Sequence, residues 1–287
     1  MLSSLVTVLF DGFAYGMLLF LLSVGLSVTL GMMNFVNLAH CSFAMVGGYA
    51  AVTLVNSFGW PFLATLPMAF LAGGFISVVL ERTLYRRLYR STDLDQCLLT
   101  IGIVFVSVAA FAWFYTSEQQ SARPPEWLRG RIDLFGANFA AYRLFLIVFG
   151  LAVTGILILL LEKTAFGAKV RAAVDNQRMA RGLGIDVDRA FLLTFALGGG
   201  LAGLGGALAI EVVGLDPTFA LAYLVYVLIV VAVGGLGSIG GSFAAAVVLG
   251  ISDMAGKYYF PWLGAFLIYL VMVALLMWRP AGLFGKR

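Results

Sequence analysis

Apolar residues fill this chain in long blocks, and the few charged positions cut it into intervals of membrane-crossing length. Positions 12–80 contain no Asp, Glu, Lys or Arg, and neither do positions 217–252. A helix needs about 20 residues to cross a hydrocarbon layer of ~30 Å. The first interval therefore holds three passes, with turns near Gly31 to His40 and Asn56 to Pro61. Asp95 to Glu118, Arg143 to Glu162, Arg189 to Glu211 and Lys257 to Arg279 each bracket one more. The interval 217–252 is interrupted by Gly234, Gly235, Gly237, Gly240 and Gly241 and reads as two short spans meeting at a Gly-rich bend. The pattern predicts an all-α polytopic membrane protein of about nine transmembrane helices, with eight to ten as the range, and two Gly/Asn-rich broken segments.

Composition agrees with this pattern. Of 287 residues, 62% are apolar and 11% charged, against roughly 45–50% and about 25% in soluble domains. A water-soluble globule is excluded. No low-complexity tract or long polar block leaves room for a separate domain, so residues 1–287 read as one transmembrane domain. Two cysteines exclude a disulfide scaffold, and a single histidine excludes a protein-only His-cluster metal site. The first ten residues carry no basic stretch and no small-residue cleavage site, so the N-terminus reads as retained.

Orientation follows from the basic residues, because short Lys/Arg-rich loops stay cytoplasmic. With nine spans, Arg82, Arg86, Arg87 and Arg90, then Lys163, Lys169, Arg171, Arg178, Arg181 and Arg189, then Arg279, Lys286 and Arg287 all fall on one side, thirteen of the 18 basic residues. The N-terminus is then outside and the C-terminus cytoplasmic. The net charge of +4 is this inner excess and not a nucleic-acid footprint. Asp11, Asp216 and Asp253 are expected near the outer helix ends, where a carboxylate is least costly.

The segment 162–189 is the one long polar stretch on the inner side, and it keeps helical apolar spacing at Val170, Val174, Met179 and Leu183. Asp175 or Asn176 can cap a short helix that Gly184 ends, and Asp186 can cap the span that follows. The loop therefore reads as folded and as a place where something docks, not as a solvated connector.

Residues 31–48, GMMNFVNLAHCSFAMVGG, place Asn34, Asn37 and His40 in apolar surroundings, where each unpaired polar group costs several kcal/mol. They face protein or water. One reading is an interrupted helix of the kind that exposes backbone to a transported solute, and the other is packing hydrogen bonds at a helix crossing. Gly235, Gly237 and Gly240 spell G-x-G-x-x-G, but between two apolar spans and without the distant acid the dinucleotide motif requires. Close helix approach explains them better, as it does Gly12 with Gly16 and Gly199 with Gly203. No phosphate-binding loop occurs, so ATP has no site on this chain.

The stretches GMMNFVNLAH (31–40), RAAVDNQRMARGLGIDVDRAFLLTFALGGGLAGLGGAL (171–208), GGLGSIGGSFAAAVVLG (234–250) and RPAGLFG (279–285) resemble the branched-chain amino acid ABC transporter permease family, its first permease subunit in particular. The resemblance implies an importer half in a bacterial inner membrane. It also implies a second, related permease or a second copy, two cytoplasmic ATP-binding subunits that hold ATP and Mg, and an extracytoplasmic solute-binding protein. Arg171, Asp175, Asn176, Arg178, Met179, Ala180, Arg181, Gly184 and Asp186 match the family's ATPase-docking segment. Asn34, Asn37, His40, Ser42 and Met45 from the first broken segment, with Tyr226, Gly235, Gly237 and Ser238 around the second, are the candidate lining of the translocation pathway. The two segments are also candidates for equivalent parts of an internal repeat. No residue is expected to be catalytic and no metal or cofactor to be bound by this chain.

Three departures bear on the substrate. Cys41 and Ser42 follow His40 where relatives usually have Gly and often an acid, Gly240 stands where they often have Pro, and no lysine lies between Arg189 and Lys257 where they can carry one near Tyr226. Alongside branched-chain amino acids, the expectation thus includes aromatic or short carboxylates and amides such as urea. The competing class is an ion-coupled secondary transporter or channel for a small solute, which the lack of a mid-span acid disfavours. An intramembrane enzyme lacks a paired nucleophile and base.

Overall fold

The computed structural model describes residues 2–33, 35–89, 91–134 and 137–285. Its helices are α1 (Leu2–Met33), α2 (His40–Asn56), α3 (Phe62–Leu80), α4 (Arg86–Leu88), α5 (Asp93–Tyr115), α6 (Glu126–Arg129), α7 (Ala141–Lys163), α8 (Ala165–Asp175), α9 (Gln177–Gly182), α10 (Val187–Val213), α11 (Phe219–Gly234), α12 (Ile239–Tyr259) and α13 (Gly264–Trp278). A π-helical turn at Glu81–Tyr85 joins α3 to α4 without a break. The chain is a polytopic, helical membrane protein.

Six helices among the described residues are long and apolar enough to cross a bilayer: α1, α3 with its extension, α5, α7, α10 and α12. The expected count of nine includes α2, α11 and α13, which have 17, 16 and 15 residues. At 1.5 Å per residue these rise only about 26, 24 and 22 Å, short of the ~30 Å layer. The shortfall of α2 has a local cause, described below.

Two helices form the interior. Residues 14–29 of α1 and 198–210 of α10 are buried without interruption, the signature of a helix surrounded on all sides. Helices in lipid gain little from apolarity itself, so close backbone approach must hold them together, and small residues permit it. A Cβ on Gly16 would stand 2.8 Å from the Ala246 carbonyl oxygen of α12. On α10, the glycines between 198 and 206 meet Gly25 of α1, Ala44 of α2 and Gly73 of α3 on different faces. Ser77 of α3 seals one seam by donating to the Phe195 carbonyl at 2.9 Å.

The three inner basic groups lie at one end. Arg86 reaches Asp188 at 2.7 Å, and one cleft is lined by Arg171 and Asp175 together with Gly237, Ala281 and Phe284. Arg90, Lys286 and Arg287 lie outside the described residues. At the opposite end Arg143 pairs with Asp11, linking α7 to α1. There the segment 116–140 adds a feature the helical reading did not include, an antiparallel hairpin of β1 (Arg131–Leu134) and β2 (Ala137–Ala140), with Arg131 opposite Ala140. Its signal was the polar/apolar alternation of Arg131, Ile132, Asp133 and Leu134. Phe139 anchors it on Phe10, ring centroids 4.2 Å apart.

Candidate functional site

The loop 162–189 holds two helices where the sequence suggested one. Asn176, in extended backbone at φ −155°, ends α8 and caps α9, its Oδ1 accepting from the Met179 N–H at 3.0 Å. Thr164 caps α8 and Asp186 caps α10, the latter accepting from the Arg189 N–H at 3.0 Å. Asp175 is thus the last residue of α8 and not the cap. Gly184, at φ +79°, takes the left-handed turn after α9, so that the Ile185 N–H returns to the Ala180 carbonyl at 3.0 Å.

Val170, Ala173, Ala180, Val187, Ala190 and Phe191 close a small core of their own beneath this pair. Ala180, a candidate docking residue, is therefore buried and holds α9 down. The break at Asn176 also splits the anticipated stripe. Val170 points inward, whereas Met179 is 64% and Leu183 78% exposed. Two apolar side chains thus stand out on an otherwise polar surface beside exposed Arg178. Arg171 donates to the Leu161 carbonyl and ties α8 to α7. Arg181 and Arg86 share Asp188, at 3.0 and 2.7 Å, and so join α9, α4 and α10. Just beyond α4, Tyr89 donates to the buried Glu81 carboxylate at 2.8 Å. Burial first, then the Glu81 charge, pushes the Tyr89 phenol well above its ordinary pKa and keeps it a donor.

The first broken segment is a short non-helical stretch, Phe35 to Asn37, closed by a turn at Leu38 and Ala39. His40 Nε2 lies 3.1 Å from the Leu22 carbonyl, so between Met33 and His40 the chain climbs back along α1. The climb equals eleven helical residues, about 16 Å. This is why α2 is short, because it starts part-way through the layer. Backbone donors freed by the break are taken up by α5: the Val36 N–H by Gln96 Oε1 at 3.0 Å and the Leu38 N–H by Thr100 Oγ1 at 3.2 Å. Amides two residues apart thus meet side chains one helical turn apart on α5. The Ala39 N–H goes to Asn37 Oδ1 at 3.1 Å, and Ser42 pairs with Ser107 of α5 at 2.8 Å.

The candidate pathway residues fall in three places. Asn34 lies outside the described residues. Asn37, His40, Ser42 and Met45 are buried in the interior, occupied in packing and hydrogen bonds, with Asn37 Nδ2 unpaired among the described residues. Gly235, Gly237 and Ser238 form the tight inner turn between α11 and α12. Gly235 and Gly237 have φ of +93° and +78°, and Gly237 abuts Gly31. Ser238 caps α12 by accepting from the Gly241 N–H at 3.0 Å. Tyr226 sits half-buried on α11 between Tyr223 and Tyr269. Sequence reasoning missed Gln96, Thr100 and Ser107, whose signal was a polar stripe on one face of an apolar helix. Asp253, expected near a helix end, lies six residues before the end of α12 and is fully buried, which the sequence did not indicate.

Long apolar helices packed through glycines, with a capped and basic helix pair at one end, define a membrane-embedded permease body. The chain belongs to the family described as "Branched-chain amino acid transport system / permease component", which matches residues 8–276. It is 30% identical over 285 residues to "Probable branched-chain amino acid transport permease protein LivH" of Methanocaldococcus jannaschii, covering 94% of this chain and 90% of that one. Similarity to the "High-affinity branched-chain amino acid transport system permease protein LivH" of Salmonella typhimurium is 22% over 297 residues, covering 97% and 94%. The protein LivM of the same transport system and organism is 25% identical over 298 residues, covering 93% of this chain and 68% of that one. No solved structure matches the chain.

Proposed function

We propose that this chain is one permease subunit of an ATP-driven importer in a bacterial inner membrane, moving branched-chain amino acids or related small solutes inward. It crosses the membrane nine times, N-terminus outside and C-terminus in the cytoplasm, which gathers the basic loops on the cytoplasmic side. A second permease, two ATP-binding subunits and an extracytoplasmic solute-binding protein complete the machine. ATP and Mg are held by the ATP-binding subunits.

The observation that carries the reading is the helix pair α8–α9, which has its own caps and core yet leaves Met179 and Leu183 exposed. A connector needs neither. An ATP-binding subunit seated there moves α10 directly, since Arg181 and Asp186 bind α9 and the loop to its first turn. The test is Met179→Asp with Leu183→Asp in the co-expressed complex. Because both side chains are exposed, the permease stays folded while the ATP-binding subunits no longer co-purify and ATP-dependent uptake is lost. Retained co-purification and uptake sink the docking assignment. Uptake by this chain alone, collapsed by an ionophore, instead establishes the ion-coupled alternative.

A further inference from the structure

The outer part of α12 carries a charged pair that the docking loop and the helix break leave unused. Asp253 lies six residues before the end of α12 and is fully buried. Its Oδ2 accepts from Lys257 Nζ at 2.6 Å, one turn nearer the outer end. Its Oδ1 has no hydrogen-bond partner among the described residues. A carboxylate offers about four acceptor positions, and an unpaired oxygen away from water is costly. A charge pair of this kind inside a span marks a functional site by default.

Four tyrosines from three other helices form a row of rings that begins beside the pair. Lys257 Nζ stands 5.3 Å from the ring centroid of Tyr15 on α1. Tyr15 lies beside Tyr223 of α11, and Tyr15, Tyr223 and Tyr226 are all within electrostatic reach of Asp253. The rings of Tyr223 and Tyr226 are 5.8 Å apart, and those of Tyr226 and Tyr269 of α13 are 6.3 Å apart. Asp216, in the loop before α11, also acts on Tyr223. Lys257 is the exposed member of the pair, its side chain 52% exposed against 1% for Asp253. The sequence has no lysine within α11, yet the fold brings one from α12 to Tyr15, the neighbour of Tyr223.

The ligand that fits has three parts. Asp253 Oδ1 calls for a cationic N–H donor. An ammonium group has three donors, so Lys257 keeps two for an anionic acceptor. Tyrosine rings offer apolar faces to an aliphatic body, and their hydroxyls further polar contacts. An ammonium and a carboxylate on one carbon with an aliphatic side chain are an α-amino acid. Urea and simple carboxylates supply one part or none of this set.

We propose that Asp253, Lys257, Tyr15, Tyr223, Tyr226 and Tyr269 form a contact site for a zwitterionic α-amino acid in the outer half of the pathway. The ammonium rests on Asp253 Oδ1, the carboxylate on Lys257, and the side chain against the tyrosine rings. The site rests on the importer reading and narrows its substrate class.

The test uses the assembled complex in nanodiscs without the binding protein. Binding of radiolabelled leucine is competed with leucine, with 4-methylpentanoate, which lacks the amine, and with 3-methylbutylamine, which lacks the carboxylate. The wild type prefers leucine about tenfold or more over either analogue, as expected for one charge-assisted hydrogen bond lost. Asp253→Asn abolishes the preference over 4-methylpentanoate alone, and Lys257→Gln abolishes that over 3-methylbutylamine alone. A merely structural pair does not produce this crossed pattern. Lys257 is half exposed, so the Lys257→Gln complex decides by itself if the Asp253→Asn complex does not assemble. A wild type without preference, or variants keeping both preferences, overturns the site. ATP-driven leucine uptake by wild-type proteoliposomes separates the two readings: uptake without discrimination sinks the site alone, and no ATP-driven uptake sinks both.

Discussion

The non-helical segment 35–39 depends on two side chains of α5, and removing them one at a time measures how much. Thr100→Val keeps the shape of the side chain but deletes the acceptor of the Leu38 N–H, now at 3.2 Å. Gln96→Leu deletes the acceptor of the Val36 N–H, at 3.0 Å, together with the bond from Gln96 Nε2 to the Leu88 carbonyl, at 3.2 Å. A buried donor left without a partner costs about 1–3 kcal/mol. Interhelical hydrogen bonds in membranes average nearer 0.6 kcal/mol, because the freed group finds other partners. Leu38 lies two residues further into the layer than Val36, out of easier reach of water from the inner face. Thr100→Val is therefore expected at the upper end of the range and Gln96→Leu at the lower. Hydrogen exchange of the peptide covering 35–40 reads this directly, since 1–3 kcal/mol is roughly a 5- to 150-fold acceleration. Ser107→Ala is the control, because its partner Ser42 lies beyond the segment, inside α2. Unchanged exchange at 35–40 in both variants, or equal acceleration in the control, refutes the account of how the break is held.

Three further outcomes follow from packing and capping. Gly25→Ala puts a methyl group against the Gly198 carbonyl of α10 and His40, and is expected to cost about 1–3 kcal/mol and lower the thermal midpoint in detergent. Gly240→Ala, with nothing within 4 Å of the new Cβ, is expected to leave the midpoint unchanged or raise it slightly. Asn176→Ala removes the α9 cap and is expected to cost about 1 kcal/mol, seen as faster exchange confined to 177–183.

Much of the architecture could be read from where charge is absent. The interval 12–80 resolves into α1, α2 and α3, and 217–252 into α11 and α12 joined at the glycine bend, because charge cost in lipid leaves few other places for a loop. The caps at Asn176 and Asp186 were legible for a similarly local reason, since a cap acts within three residues. What escaped were relations between distant segments. Gln96 meets Val36 across 60 positions, and nothing in the local pattern of either says that the two pair. The non-helical segment in turn explains why spans cannot be counted by length alone, as α2 begins where α1 is at Leu22.

Asp253 shows the same limit from the side of function. Its distance from Lys257 is one helical turn and could be seen in the sequence, and on an exposed helix end such a pair contributes only about 0.3–0.5 kcal/mol. Its burial cannot be seen there, because it comes from the packing of α12 against α1, more than two hundred positions earlier, and against α11 and α13. Burial changes what the pair is for. In water it is a small stabilising contact, whereas inside a span it is a costly arrangement with one oxygen unpaired, retained where a ligand can complete it. The absence of lysine in α11 argues against a zwitterionic substrate only while position along the chain stands in for position in space, and the proposed site takes its lysine from α12 instead.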